Sequence, residues 1–271
     1  MSLRASRTPR IPGPYPAQSL HSRAVSPTNN DLTAVSVIIP AYQEASGIAE
    51  ALRRLLRALE GTGRAYEVLV VSDGSTDATA ARARSVGDPH VTVIEYMPNR
   101  GKGHALALGV EKTRNPFVVF MDGDLDLDPS VLPRYLDLLD TGEADVVVGS
   151  KVHPESIVDY PWSRRVLSRA FRILTRVLVG LDLGDTQTGL KAFRRTAMAD
   201  VARECDSEGF AFDLELLCRL NDRGETIVEA PVILNYDFAS TVKVSTGAAA
   251  VRDLYRVSRW RRAQARARSD A

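Results

Sequence analysis

From residue 35 onward, short apolar runs alternate with segments whose apolar residues recur at a helical spacing. The first run, Val35-Ser-Val-Ile-Ile39, is rich in β-branched residues, which favour strands. The next segment places Leu52, Leu55 and Leu59 on one helical face. The same alternation predicts strands at 35–39, 67–71, 91–94 and 117–121, and helices at 48–59, 77–86 and 104–112. This order predicts βαβ units and an α/β fold, in which a mainly parallel sheet carries helices on both faces.

The second half of the chain continues the pattern less regularly. Helices are expected near 131–139, 163–179, 196–203, 212–221 and 248–262. Strands are expected at 145–148 and 189–193, with a strand pair in the region 226–234. The first 33 residues differ, because five prolines lie there among Ser, Arg and Asn, and such a segment lacks the apolar surface needed to order itself. We therefore expect a flexible tail at 1–33, one domain at 34–245, and a basic helix with a tail at 246–271.

Charge and cysteine content narrow the class of protein. Lys and Arg number 35 and Asp and Glu number 34, so the net charge of +1 gives no case for a nucleic-acid partner. Cys205 and Cys218 are too few for a disulfide framework or a four-ligand zinc site, and unpaired thiols are typical of the cytosol. No apolar run reaches 18 residues, so no transmembrane helix is predicted, and the arginine-bearing N terminus lacks the apolar stretch of a secretory signal. We expect a cytoplasmic protein.

Polar loops close each of the first four predicted strands. They are 40–44, 72–77, 99–105 and 122–126. Ligands of open α/β sheets bind at the carboxyl ends of the strands, so these loops are expected to converge on one cleft.

The acidic loop after the fourth strand carries the most specific chemistry. In an extended segment, Asp122, Asp124 and Asp126 project to one side. Crowded carboxylates raise one another's pKa values unless a cation neutralises them. Mg²⁺ and Mn²⁺ are hard ions that accept one or two carboxylates and fill their other positions with phosphate oxygens and water. The loop therefore favours a metal–diphosphate site, the alternative being a solvated acidic turn that caps the helix after Pro129.

Two other loops offer groups for the same ligand. Asp73 ends the second strand, where it is placed to accept a hydrogen bond from a nucleobase or a ribose hydroxyl, while Thr76 or Asp77 can cap the following helix. The Gly101-Lys102-Gly103 segment permits a close approach of its backbone to a ligand. Arg100 or Lys102 could then offset the charge of a diphosphate, although solvated charges at a helix entry explain them equally well.

These segments resemble the motifs of a known enzyme family. The series 35–44, 71–77, 99–103 and 122–124 resembles that of family 2 glycosyltransferases with the GT-A, Rossmann-like fold, and the resemblance covers about residues 34–245. Three later segments are similar to the branch of polyprenyl- or dolichyl-phosphate hexosyltransferases. They are 149–151, 161–168 and 185–194.

The resemblance implies a set of site residues. The nucleotide sugar would be held by Pro40, Tyr42, Glu44, Asp73, Lys102, Asp122, Gln187 and Lys243. The metal, Mg²⁺ or Mn²⁺, would be held by Asp122, Asp124 and Asp126. The acceptor phosphate would be held by Lys151, Arg165 and Ser168.

The implied reaction transfers a hexose from a nucleotide diphosphate sugar to a polyprenyl phosphate, with inversion at the anomeric carbon. The segments 101–103 and 185–187 lean towards a UDP-glucose-type donor rather than GDP-mannose. A phosphate acceptor is already anionic and needs no strong base. A hydroxyl acceptor on a soluble molecule or polysaccharide would need one, and Asp213 or Glu215 would then be the catalytic candidate.

Two further functions remain as alternatives. A sugar-1-phosphate nucleotidyltransferase also uses a metal in an α/β domain, but it should show a Gly-rich loop after the first strand, where this chain has Pro-Ala-Tyr-Gln-Glu. A non-catalytic sugar-nucleotide binder would have no need of the acidic loop.

The predicted helix 163–179 bears on membrane contact. Arg165, Arg169, Arg172 and Arg176 lie on one face and apolar residues lie on the other. Such a helix suits an anionic membrane surface, or it packs on the core with a solvated arginine face. We expect peripheral contact with the cytoplasmic face of a membrane, or recruitment by a membrane-protein partner.

Overall fold

The structure is a computed structural model of the 271-residue chain. It describes residues 33–124, 126–158, 175–176, 179–207, 209, 211–234 and 256–261. Within these ranges, no helix is both long enough and apolar enough to cross a membrane. The predicted tail and most of the predicted helices 163–179 and 248–262 lie outside them, although 256–261 are helical.

The strands and helices follow the predicted order closely. The strands are β1 Val35–Ala41, β2 Tyr66–Asp73, β3 Val91–Tyr96, β4 Phe117–Phe120, β5 Val146–Ser150, β6 Lys191–Arg194 and β7 Ile227–Pro231. The helices are α1 Ile48–Glu60, α2 Thr79–Arg84, α3 Lys102–Lys112, α4 Leu132–Asp140, α5 Arg195–Glu204 and α6 Ala211–Asp222, and a 3₁₀ turn at Pro129–Val131 precedes α4. In place of the expected strand pair at 226–234 there is one strand, β7, followed by isolated bridges at Ile233 and Leu234.

The seven strands form one sheet in the order β3-β2-β1-β4-β6-β5-β7. Every neighbouring pair is parallel except those of β6, which runs antiparallel between β4 and β5. The α/β prediction with a mainly parallel sheet is confirmed. Because β6 runs backwards, its first residue, Lys191, lies at the edge where the other strands end.

Helices cover both faces of the sheet, which explains why the strands read as continuous apolar runs. Val35, Val37 and Ile39 of β1 belong to the core layer that contains the buried residues of α1 and α4. Ile38 points to the opposite layer, together with the buried residues of α3, α5 and α6.

The contact between α3 and β1 is unusually close. A Cβ atom at Gly109 of α3 would lie 2.4 Å from Cγ2 of Ile38, so the helix approaches the sheet only because position 109 has no side chain. This contact matters for function because α3 begins with Lys102, a predicted ligand of the nucleotide sugar.

Replacing this glycine tests the close approach. Gly109→Ala should lower the free energy of unfolding by about 1–3 kcal/mol through overpacking, even though alanine favours helices. Gly47→Ala is the control, because no atom lies within 4 Å of its added Cβ. Gly47 is the N-cap of α1, where glycine is favoured over alanine, so the loss of stability should stay below about 1 kcal/mol. Urea unfolding measures both; a Gly109→Ala variant as stable as the parent would contradict the packing argument.

Candidate active site at the carboxyl edge of the sheet

Hydrogen bonds join the loops after β1 and β2. Gln43 has a left-handed backbone, with φ of 60°, and its side-chain oxygen accepts hydrogen bonds from the amides of Thr76 and Asp77, both at 3.2 Å. Asp77 accepts one from the amide of Ala45 at 3.1 Å and another from the amide of Thr79 at 3.0 Å. The N-cap of α2 is Ala78 rather than the predicted Thr76 or Asp77, and Asp77 instead binds the first amide of the helix from the residue before the cap. The same carboxylate also fixes the first loop.

Asp73 organises the loop between β3 and α3. One carboxylate oxygen accepts from the Tyr96 hydroxyl at 2.8 Å and the Arg100 amide at 2.7 Å. The other accepts from the Asn99 side chain at 3.0 Å and the Gly101 amide at 2.8 Å. The residue is only 3% exposed. Four protein donors surround the carboxylate in this arrangement, so a nucleobase N–H would have to replace or share one of them, and the nucleotide contact of Asp73 stays a prediction.

The central ion pair of the site joins the third and fourth loops. The ammonium of Lys102, at the start of α3, lies 2.5 Å from Oδ1 of Asp122. The other oxygen of Asp122 packs against the backbone of Gly189, where a Cβ atom would lie 1.9 Å from it. Only glycine at 189 permits this orientation, which sequence reasoning did not anticipate.

A second, buried ion pair lies behind the first. Asp213 of α6 is 3.0 Å from the ammonium of Lys191 and 3.7 Å from that of Lys102. Lys191 is 1% exposed and also donates to the carbonyl of Thr188 at 2.6 Å. The four groups of Asp122, Lys102, Asp213 and Lys191, called here the charge cluster, carry two negative and two positive charges.

Lys191 is the residue that sequence reasoning missed. Its only sequence signal is a lysine inside a segment otherwise expected to be a buried strand, since a lysine is almost never fully buried without a partner. Glu215, one of the two candidate bases, lies elsewhere: it pairs with Arg219 at 2.7 Å and accepts hydrogen bonds from the amides of Asp206 and Ser207. The structure therefore brings Asp213 to the cluster, but not Glu215.

The pKa values of Asp122 and Asp124 in the acidic loop are shifted in opposite directions. Burial by itself would raise the pKa of Asp122, but the neighbouring ammonium of Lys102, helped by Lys191 and Lys151, lowers that pKa below its ordinary value. Burial would lower the pKa of Lys102, and the attraction of Asp122 and Asp213 more than offsets this, so its pKa is raised. Both groups are charged at neutral pH.

Asp124 and Glu44 have pKa values shifted in the opposite direction from that of Asp122. Loss of hydration, followed by repulsion from Asp122 and Asp126, raises the pKa of Asp124 to about 6. Glu44 has its pKa raised to about 6 by burial and by the charges of Asp124 and its neighbours. Glu44, Asp122, Asp124 and Asp126 thus lie near enough to repel one another, and a cation would relieve that repulsion.

The donor set limits which metal arrangement fits. In the part of the chain that the structure describes, no three His, Cys, Asp or Glu side chains form a group that could hold a metal. Asp122 and Asp124 are hard oxygen donors, and Mg²⁺ or Mn²⁺ needs only one or two carboxylates when phosphate oxygens and water complete its shell. The residues therefore fit a cation that binds together with a diphosphate.

The remaining predicted residues lie around this centre or outside the described ranges. Lys151 follows β5 and is half-buried, and its positive charge helps to lower the pKa of Asp122. Its amide donates to Asp185, which also accepts from the amide of the exposed Gln187. Outside the described residues lie Arg165, Ser168 and Lys243. At the end of β1 lie Pro40, which is half-buried, and Tyr42, which is exposed.

A substitution at Asp73 tests its structural role. In Asp73→Asn, one of the two carboxylate oxygens becomes an N–H₂ group. Whichever way the amide is turned, this group faces two hydrogen-bond donors that then lose their acceptor, which should lower the free energy of unfolding by about 1–3 kcal/mol. Amide hydrogen exchange at 99–103 should accelerate more than elsewhere. Glu95→Gln, an exposed acid in the adjacent strand, is the control and should leave exchange in that loop unchanged. Equal exchange in the two variants would contradict the role assigned to Asp73.

The raised pKa of Asp124 predicts a pH dependence of stability. A carboxylate whose pKa rises from 3.8 to about 6 on folding destabilises the protein while charged, and this cost disappears as the pH falls through that window. In metal-free buffer, Asp124→Asn should therefore be more stable than the parent at pH 7.5, by less than about 1 kcal/mol because the side chain is exposed to solvent. The difference should vanish near pH 4. Thermal melts across this range measure it; a variant less stable at pH 7.5 would refute the prediction.

Curated relatives of the chain transfer sugars. It is 31% identical over 244 residues to polyprenol monophosphomannose synthase of Mycolicibacterium smegmatis, covering 87% of this chain and 88% of that protein. It is 34% identical over 203 residues to dolichyl-phosphate beta-glucosyltransferase of Drosophila melanogaster, covering 68% and 61%. Glycosyltransferase AglD of Haloferax volcanii is 33% identical over 202 residues, which are 73% of this chain but only 32% of that longer protein.

A solved structure shares the fold of this chain, and a family model identifies its family. Glucosyl-3-phosphoglycerate synthase from Mycobacterium tuberculosis, solved with Mn²⁺, UDP and phosphoglyceric acid, superposes with a TM-score of 0.66 at 21% identity, covering 88% of this chain and 84% of that one. This likeness confirms the GT-A fold. The model of glycosyl transferase family 2 matches residues 36–201, more than half of the chain. The protein therefore belongs to glycosyltransferase family 2.

Proposed function

We propose that this glycosyltransferase moves a hexose from a nucleotide diphosphate sugar to the phosphate of a polyprenyl lipid, with inversion at the anomeric carbon. The observation that carries the proposal is the pairing of Lys102 with Asp122 beside Asp124, at the edge of the sheet where four loops meet. Relatives named for polyprenyl- and dolichyl-phosphate sugar transfer support the acceptor.

The donor diphosphate is assigned to the acidic loop and its lysine. Asp122 and Asp124 would hold Mg²⁺ or Mn²⁺, with Asp126 as a further candidate. When bound, that ion would stabilise the negative charge that grows on the leaving diphosphate. Lys102 supplies a second positive charge at the same place.

Other residues are assigned to the nucleotide and the sugar. Pro40, Tyr42 and Glu44 follow β1, and Glu44 is fixed because its amide donates to the Thr79 hydroxyl at 2.8 Å. Asp73 contributes by shaping the loop that presents Lys102. The direct sugar-nucleotide contacts proposed from the sequence also include Gln187 and Lys243.

The acceptor phosphate is assigned to Lys151, with Arg165 and Ser168. An anionic acceptor attacks without a strong base. This suits the surroundings of Asp213, which is 4% exposed and whose carboxylate is already paired with the ammonium groups of Lys102 and Lys191. Glu215 is held by Arg219. The pairing of both candidate bases favours a phosphate acceptor over a hydroxyl.

The identity of the sugar is proposed from this chain's own segments. The Gly101-Lys102-Gly103 loop and residues 185–187 favour a UDP-glucose-type donor. Relatives include both a mannose-transferring and a glucose-transferring enzyme, so their names leave the choice open. A lipid acceptor requires the enzyme to work at a membrane surface, and we propose peripheral contact on the cytoplasmic face, directly or through a membrane-protein partner.

A transfer assay tests the proposal. With Mn²⁺ and a short polyprenyl phosphate, labelled UDP-glucose should give product in the organic phase, and GDP-mannose should give less. Sugar transfer only to water-soluble acceptors would reject the lipid acceptor while keeping the glycosyltransferase.

A variant pair tests the metal residues in the same assay. Asp124→Ala should lower kcat/KM by about 10²-fold or more, because the charge on the leaving group loses its counterion, while the fold is retained. Asp200→Ala removes an exposed aspartate of α5 and should keep full activity. Full activity in Asp124→Ala would reject the assignment of this loop to the diphosphate.

A further inference from the structure

The carboxylate of Asp122 is already paired with a positively charged side chain. The ammonium of Lys102 lies 2.5 Å from Oδ1 of Asp122, while the opposite oxygen is packed against Gly189. The carboxylate group that would bind a divalent ion is therefore satisfied by a lysine of the same chain. A divalent ion bound to the same oxygen would lie close to that ammonium, and the two positive charges would repel each other.

Lys102 also has a second partner. Its ammonium is 3.7 Å from Oδ2 of Asp213, whose other oxygen is held 3.0 Å from Lys191. A small rotation of the lysine side chain would exchange Asp122 for Asp213 without leaving its charge unpaired. Asp213 is 4% exposed and Lys191 is 1% exposed, so this second partner is rigidly placed.

The position of Lys102 argues against a purely structural ion pair. It is the first residue of α3, where the helix dipole is positive and a cation is disfavoured. Asp122 keeps 40% of its side chain exposed, in contrast to the buried Asp213. The pair therefore lies at the accessible end of the charge cluster, where its partner can be exchanged.

We propose that Lys102 is an exchangeable internal cation: it neutralises Asp122 until a divalent ion binds there and then keeps Asp213 as its one carboxylate partner. This inference deepens the proposed function and rests on it. The exchange makes binding of the metal without a nucleotide weak, since the ion must displace a lysine. A nucleotide diphosphate lowers this cost because it offers the displaced ammonium new oxygens.

Mn²⁺ binding to the full chain tests the exchange, with the electron paramagnetic resonance signal of free Mn²⁺ as the readout. For Mn²⁺ alone, Lys102→Met should bind about five- to tenfold tighter than the parent, because the competing ammonium is gone. The matched control is Lys151→Met, which removes a lysine that acts on Asp122 through its charge at a longer distance. The Mn²⁺ affinity of this variant should differ from that of the parent by less than about threefold. UDP should raise the Mn²⁺ affinity of the parent more than that of Lys102→Met.

The opposite substitution keeps the test decisive if Lys102→Met does not fold. Lys102→Arg keeps a permanent positive charge that can pair with Asp122, so Mn²⁺ alone should bind no tighter than to the parent. Lys102→Met binding no tighter than the parent, or Lys151→Met gaining as much, would overturn the exchange, and so would Lys102→Arg binding tighter. If the parent binds Mn²⁺ with UDP and transfers sugar but Lys102→Met gains nothing, only this inference fails. If the parent binds no Mn²⁺ even with UDP, the proposed function itself fails.

Discussion

Two lysines and two aspartates share a small volume at the carboxyl edge of the sheet, and the geometry of the site depends on how their charges offset one another. Burying a charge is costly unless it is paired and hydrogen-bonded. Lys191 meets this requirement through Asp213 and the carbonyl of Thr188, and Lys102 meets it through Asp122 and Asp213. Removing Asp213 would leave the buried ammonium of Lys191 without a carboxylate partner. The same cluster that could bind a substrate diphosphate therefore also constrains the fold around it.

Hydrogen bonds among the loops extend this constraint. The first two loops are tied by Gln43 and Asp77, and the second and third by Asp73. Gly74 brings the same pair of loops still closer, since an added Cβ there would lie 2.2 Å from the amide nitrogen of Asn99. Loops that are bonded to one another lose less entropy when a ligand binds, so the sheet edge is preorganised.

The sequence predicted more of the scaffold than of the interactions within the site. The apolar runs gave β1 to β4 and the helices between them, because strands buried on both faces have a clear signature. The convergence of the polar loops followed from the parallel order. The role of Asp73 was not predictable, because a carboxylate at a strand end bonds either a ligand or a nearby backbone, and only the path of residues 99–101 decides which. Lys191 and Gly189 were missed because their neighbours in space come from β4 and α6, which a linear pattern does not reveal.

The reversed direction of β6 has a consequence for the order in which the charge cluster is assembled. Asp122 and Lys102 come from the first half of the chain, whereas Gly189, Lys191 and Asp213 arrive some 70 to 110 residues later. A nascent polypeptide that has completed only its first four strands would carry the pair of Lys102 and Asp122, but neither Lys191 nor Asp213, which form the buried half of the charge cluster. The charge cluster is consequently complete only once the late segment has inserted β6 between β4 and β5.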